Sequence, residues 1–102
     1  MKPSFSFSTK VWRYPGHAAW HFVTLPAEVA TEIREIVGTS TRGFGSIRVK
    51  VSVGSSAWNT SIFPDAKTKS FLLPVKKEVR KDENIKDNDL ININLELIDL
   101  LI

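Results

Sequence analysis

The sequence predicts a mainly β protein. The expected form is a small closed or nearly closed antiparallel β-barrel of about five to seven strands, with one α-helix over about 26–37 and a short helix over about 74–81. Three observations carry this expectation. Segments 4–12, 46–53 and 90–97 alternate apolar and polar side chains with period two, the mark of a strand with one dry and one wet face. One stretch of helical spacing stands out among them. Turn-forming clusters separate the strands at short intervals, and closing such strands into a ring hides their edges.

In chain order, Phe5, Phe7, Thr9 and Val11 take one face of the first strand and Ser4, Ser6, Ser8 and Lys10 the other. Tyr14-Pro15-Gly16-His17 is a turn cluster. Ala18 to Leu25 reads as the second strand. Trp20, Phe22 and Thr24 share one face, Ala19, His21, Val23 and Leu25 the other. Both faces are largely apolar, so cover is expected on both sides, with the following helix as the candidate lid.

That helix opens at Pro26, where a missing N–H is harmless, and places Glu28 and Glu32 toward the positive end of its dipole. Val29, Ile33, Ile36 and Val37 form its apolar stripe, and Gly38 suits its end. Gly43-Phe44-Gly45 lacks the spacing of a phosphate loop and reads as a bend into the next strand. Ile47, Val49, Val51 and Val53 alternate with Ser46, Arg48, Lys50 and Ser52. The run from Ala57 to Phe63 returns after an irregular turn at Gly54. After a turn at Pro64-Asp65-Ala66-Lys67 comes a short strand, Ser70 to Leu73, and a short helix opened by Pro74. Lys86-Asp87-Asn88-Asp89 turns into the last strand, Leu90 to Leu97. The predicted core is Phe5, Phe7, Val11, Phe22, Val23, Ile33, Ile47, Val49, Val51, Ile62, Leu73, Ile91, Ile93 and Leu95.

The chain's 102 residues are expected to form one domain, 1–102, with 42% hydrophobic and 25% charged residues, ordinary for a water-soluble fold. Without cysteine there is no thiolate nucleophile, disulfide or cysteine-ligated zinc. No apolar run of membrane-spanning length occurs and the first residues lack the apolar core of a signal peptide, so the cytoplasm is the expected setting. The net charge is +3. Between Lys67 and Lys86, seven basic residues face Glu78, Asp82 and Glu83, a local excess of +4. Such a patch suits an anionic partner or a solvated face.

Three stretches in this order, Ala19-Trp20-His21-Phe22-Val23-Thr24-Leu25-Pro26, Trp58-Asn59-Thr60-Ser61-Ile62-Phe63-Pro64 and Leu73-Pro74-Val75-Lys76-Lys77-Glu78-Val79-Arg80-Lys81, resemble a small uncharacterised bacterial family. It is a domain of unknown function, in some proteins N-terminal to a YdeI/OmpD-associated bacteriocin-protection domain. The resemblance covers nearly the whole chain and implies a small β-barrel, with no activity to carry over. The family's Gly-Asp before the last strand is Asn88-Asp89 here, and Asn tolerates the positive φ such a turn uses.

No catalytic set emerges. His17 and His21 are four apart, but a zinc site needs three or four ligands and the segment offers no further one. Neither a metal nor a cofactor is expected. Thr60 and Ser61 lack the base and orienting group that a nucleophile requires. The leading expectation is a binding or interaction module for a small anion or a protein partner. The rival is an enzyme or enzyme subunit acting on a small anionic substrate. The candidate ligand-binding residues are Trp58, Thr60, Ser61, Lys76 and Arg80: an indole floor, two hydroxyls, and two cations four apart on a helix face beside its N-terminus. Nucleic acid is disfavoured because aromatic residues do not interleave with the basic stretch. The apolar tail Ile98-Asp99-Leu100-Leu101-Ile102 suggests self-association, most simply as a homodimer.

Overall fold

A computed structural model of the chain describes residues 2–16, 20–38 and 45–98. Six strands close into an antiparallel barrel: β1 (Ser4–Arg13), β2 (His21–Thr24), β3 (Ile47–Val53), β4 (Ser56–Asp65), β5 (Ser70–Pro74) and β6 (Leu90–Leu97). Around the ring they run β1-β2-β5-β4-β3-β6, and β6 pairs with β1 to complete it. Helix α1 (Ala27–Val37) lies between β2 and β3, and α2 (Lys77–Asp82) between β5 and β6.

Alternation sets the interior. Val49 faces Thr60 and Leu97 across its two neighbours, and Val51 faces Trp58 and Leu95. Val11, Val23, Val49, Val51, Ile62, Leu73 and Leu95 have no exposed surface. Phe5, Phe7 and Trp58 are partly buried and pack against this core.

The helices close the two ends of the barrel. Ala30, Ile33 and Val37 of α1 are buried at the end where β2 stops and β5 starts. There Ser70 Oγ donates to the Leu25 carbonyl at 2.7 Å, and Arg34 Nη1 to the Lys69 carbonyl at 2.8 Å. At the other end α2 buries Val79, and Glu83 accepts hydrogen bonds from Ser55 and Ser56 in the β3–β4 turn. No helix among the described residues is long and apolar enough to cross a membrane.

Several local expectations change. Pro74 ends β5 instead of opening α2, whose first residue is Lys77. Pro26 is likewise the residue before α1, with extended backbone at φ −57° and ψ 149°. The β3–β4 connection is a tight two-residue turn, since Val53 pairs with Ser56. Gly54 takes φ +57°, and a Cβ built there would lie 2.0 Å from Glu83 Oε1. Asn88 has φ +71°, in keeping with its place in the turn before β6.

Strand β2 differs most. It spans only His21–Thr24 and α1 does not cover its outer face, because α1 plugs the barrel end. Phe22, expected in the core, points outward and is only partly buried; its backbone partners Trp12 and Pro74 point the same way. Ala18, Ala19, His17, Gly43, Phe44 and the tail 99–102 lie outside the described residues, and with them the histidine pair and most of the apolar end that suggests self-association.

Candidate ligand-binding face

The strand register assembles an apolar surface on the outside of the barrel. Trp12, Phe22 and Pro74 form one row across β1, β2 and β5. Thr24, Leu72 and Phe63 form the next across β2, β5 and β4. Beyond the first row, the Tyr14 amide donates to the Trp20 carbonyl at 2.9 Å, which carries β1 and β2 past their last ladder pair. Trp12 Nε1 donates to Thr24 Oγ1 at 3.1 Å and ties the rows together.

Four rings of this wall pack on one another. The Phe22 centroid lies 5.3 Å from Trp12, 6.2 Å from Tyr14 and 6.4 Å from Trp20, and Tyr14 lies 6.2 Å from Trp20. The pairs are tilted or edge-on, the arrangements that ring quadrupoles favour. Trp20 is nevertheless 57% exposed, Phe63 46% and Tyr14 42%. A lone exposed aromatic needs no explanation; this many on one face is the kind of patch that marks an interaction site.

The wall is concave. A groove of about 510 Å³ runs between Trp20 and Phe63 over Phe22, Leu72 and Pro74, with Val75 and His21 at its base and Lys76 at its rim. A second depression of about 650 Å³ adjoins it at Leu72 and is lined by Trp12, Arg13, Tyr14 and Lys67, among others. The base is braced. His21 is buried, and its Nε2 lies 2.7 Å from Asp87 Oδ1, while Arg13 Nε lies 3.7 Å from Asp87 Oδ2. The Val75 amide donates to the His21 carbonyl at 2.9 Å. At the far end Asp65 accepts from the Thr68 hydroxyl at 2.6 Å and the Thr68 amide at 3.3 Å. Its carboxyl is held below the usual range, first by the Thr68 hydroxyl, with the Thr68 and Lys67 amides and the Lys67 charge adding to this against some desolvation.

The five residues singled out from the sequence are not gathered in this groove. Lys76 stands at its rim, exposed, directly before α2. Arg80 is half-buried and its Nε donates to the Val75 carbonyl at 3.1 Å, so its guanidinium folds back toward the start of α2. Trp58 and Thr60 face inward with Val51 and Val49. Ser61, their neighbour, faces the other way, and its Oγ accepts from Arg48 Nη1 at 3.3 Å. Strand alternation alone separates the two hydroxyls. Among the described residues no group of three or more His, Asp or Glu side chains could hold a metal ion.

Trp20, Phe22, Phe63 and Leu72 were missed as surface residues. The available signal was the doubly apolar pattern of β2, which fits a strand buried on both sides as well as one with a sticky outer face.

The chain belongs to the family described as "Domain of unknown function (DUF1905)", whose model matches residues 7–95. No curated protein matches the chain. The match runs from within β1 to within β6 and so takes in part or all of every strand, and the resemblance seen in the Trp58–Pro64 and Leu73–Lys81 stretches agrees with it.

Proposed function

We propose that this barrel is a non-catalytic binding module whose working surface is the aromatic outer wall. Its ligand carries flat apolar groups together with negative charge. The observation that carries this reading is the groove of about 510 Å³ between exposed Trp20 and Phe63, with an apolar floor and the Lys76 ammonium at its rim. Its volume is in the range of small-molecule sites, and such sites pair mostly apolar linings with a few placed polar groups. From the sequence-derived set the reading keeps Lys76. Trp58 and Thr60 serve the barrel interior, Ser61 pairs with Arg48, and Arg80 secures the Val75 carbonyl.

The test is a fluorescence titration with two probes of similar shape, the anion 1-anilinonaphthalene-8-sulfonate and the neutral N-phenyl-1-naphthylamine. The wild type is expected to bind both, and the Trp20→Ser, Phe63→Ser variant neither. Lys76→Ala should weaken the anionic probe about three- to tenfold and leave the neutral one unchanged, in keeping with about 1 kcal/mol for one exposed charge. Undiminished binding of both probes by the double serine variant would remove the wall as the site.

A further inference from the structure

We propose that the ligand of the aromatic wall is single-stranded nucleic acid, bound without strong base preference. This rests on the reading above and names the partner of the same surface. Binders of single strands combine aromatic rings, on which bases stack, with cations that follow the phosphates. In sequence the two halves of that combination are far apart: the basic cluster lies between 67 and 86, and four of the wall's rings, Trp12, Tyr14, Trp20 and Phe22, between 12 and 22. Folding joins them. The β2–β5 pairing lays Phe22 beside Pro74, and Lys76 then follows two residues on, at the rim that Trp20 and Phe63 flank. The β4–β5 turn brings Lys67 to the depression under Trp12 and Tyr14, where Arg13 also stands.

The surface has the length and charge of a strand site. Lys76 and Lys67 lie beyond opposite ends of β5, whose five residues span about 16 Å. The two depressions share Leu72 as a wall. A surface of this length fits about four nucleotides, the lower end of the range for small barrels. Of the two carboxylates near this path, Asp87 is engaged by His21 and Arg13, while Asp65, hydrogen-bonded by Thr68, stays ionised beside Lys67. The opposite wall has cations too, Arg48 and Lys50, but serines and asparagines surround them in place of rings. A lipid surface fits less well, because the exposed rings line a concavity where a membrane anchor needs a protruding apolar face.

The experiment titrates the full chain with a twelve-residue oligothymidine at low salt and reads quenching of tryptophan emission, with probe anisotropy alongside. Saturable binding is expected, with a log–log salt slope of about −1.4 for contacts from Lys67 and Lys76, Arg13 being paired with Asp87. Trp20→Ala should weaken it about tenfold, the loss of one stacked base. Lys76→Ala should make the slope shallower by about 0.7, and Lys50→Ala on the opposite wall should leave it unchanged. Thermal melts of each variant check that the fold is retained. Equal losses in Lys50→Ala and Lys76→Ala, or equal affinity for a polyanion without aromatic groups such as heparin, would overturn the proposal by reducing it to net charge. Binding of 1-anilinonaphthalene-8-sulfonate but not of the oligonucleotide would overturn it while leaving the wall as a ligand site. Binding to phosphatidylserine vesicles without oligonucleotide binding would overturn it in favour of a lipid surface. Failure of every ligand would remove both readings.

Discussion

The two walls of this barrel share one interior and have opposite exteriors. On β6 and its neighbours, the outward residues are Asn92, Asn94 and Glu96, beside Ser6 and Ser8 of β1 and Lys50 and Ser52 of β3, with Leu90 at the start of β6 the one exposed apolar side chain of that strand. Ser6 and Ser8 donate to Asn94 and Asn92, and Lys50 stands opposite Glu96. On β2 and β5, the outward residues are Phe22, Leu72 and Pro74, joined by Trp12 and Phe63. Inward, both walls are mostly aliphatic, with His21 and Phe71 added behind β2 and β5. The fold needs only the inner faces. Whatever distinguishes the outer ones answers to another demand, and the aromatic wall is where water meets apolar surface without a folding reason.

The largest effect should appear where the walls agree. Leu73→Ala, behind the aromatic wall, and Leu95→Ala, behind the polar one, should each lower stability by about 2–5 kcal/mol, since both are fully buried. Urea denaturation reads this; a cost confined to one wall would mean that the core is not shared. Gly54→Ala should follow, at about 1–3 kcal/mol, because φ +57° strains an L-residue. Adding Glu83→Ala relieves the crowding but not the backbone, so little stability should return. If most of it returns, the carboxylate contact was the constraint.

The outer faces give the smaller effects. Trp20→Ser with Phe63→Ser should change stability by less than about 1 kcal/mol while abolishing ligand binding, and Lys50→Ala should change neither. A large loss of stability in the serine pair would make the aromatic wall structural after all. The smallest effect is that of pH. Asp65 has its pKa lowered by folding, so its contribution is present above the ordinary value of about 3.9 and is lost as pH falls through the lower folded value. Thr68→Val should raise the Asp65 midpoint in an NMR titration and make acid unfolding slightly less steep in this window. An unchanged midpoint would mean that the hydroxyl is not the main cause.

What the sequence made legible follows from the same division. β1, β3 and β6 alternate cleanly, so their inner faces could be read residue by residue. Helix α1 announced itself by Val29, Ile33, Ile36 and Val37, although Ile36 is exposed and Ala30 takes a buried place instead. In β2 the pattern is apolar on both sides, and period two cannot say which side is covered. That choice depends on where α1 goes, and it goes to the barrel end. The wall itself depends on β1–β2–β5 pairings as distant as Phe22 with Pro74, which no local pattern reports. Of the site residues proposed from the sequence, only Lys76 reaches the groove, for a related reason. Thr60 and Ser61 are neighbours in sequence and therefore opposites in a strand, while Lys76 and Arg80, one helical turn apart, end at the groove rim and over the Val75 carbonyl.

The place of β6 in the ring has a consequence for how the chain reaches this form. β6 comes last in sequence but sits between β1 and β3, so Phe5 must find Leu95 across nearly the whole chain. Closure of so long a loop must come before its reward, and topologies of this kind fold in about milliseconds to seconds instead of microseconds. During synthesis the ring stays open until residues through Leu97 have been made, and the facing ladders of β1 and β3 wait unpaired. The barrel is thus a late-completing structure, whose most vulnerable interval ends when its final strand slides into the gap.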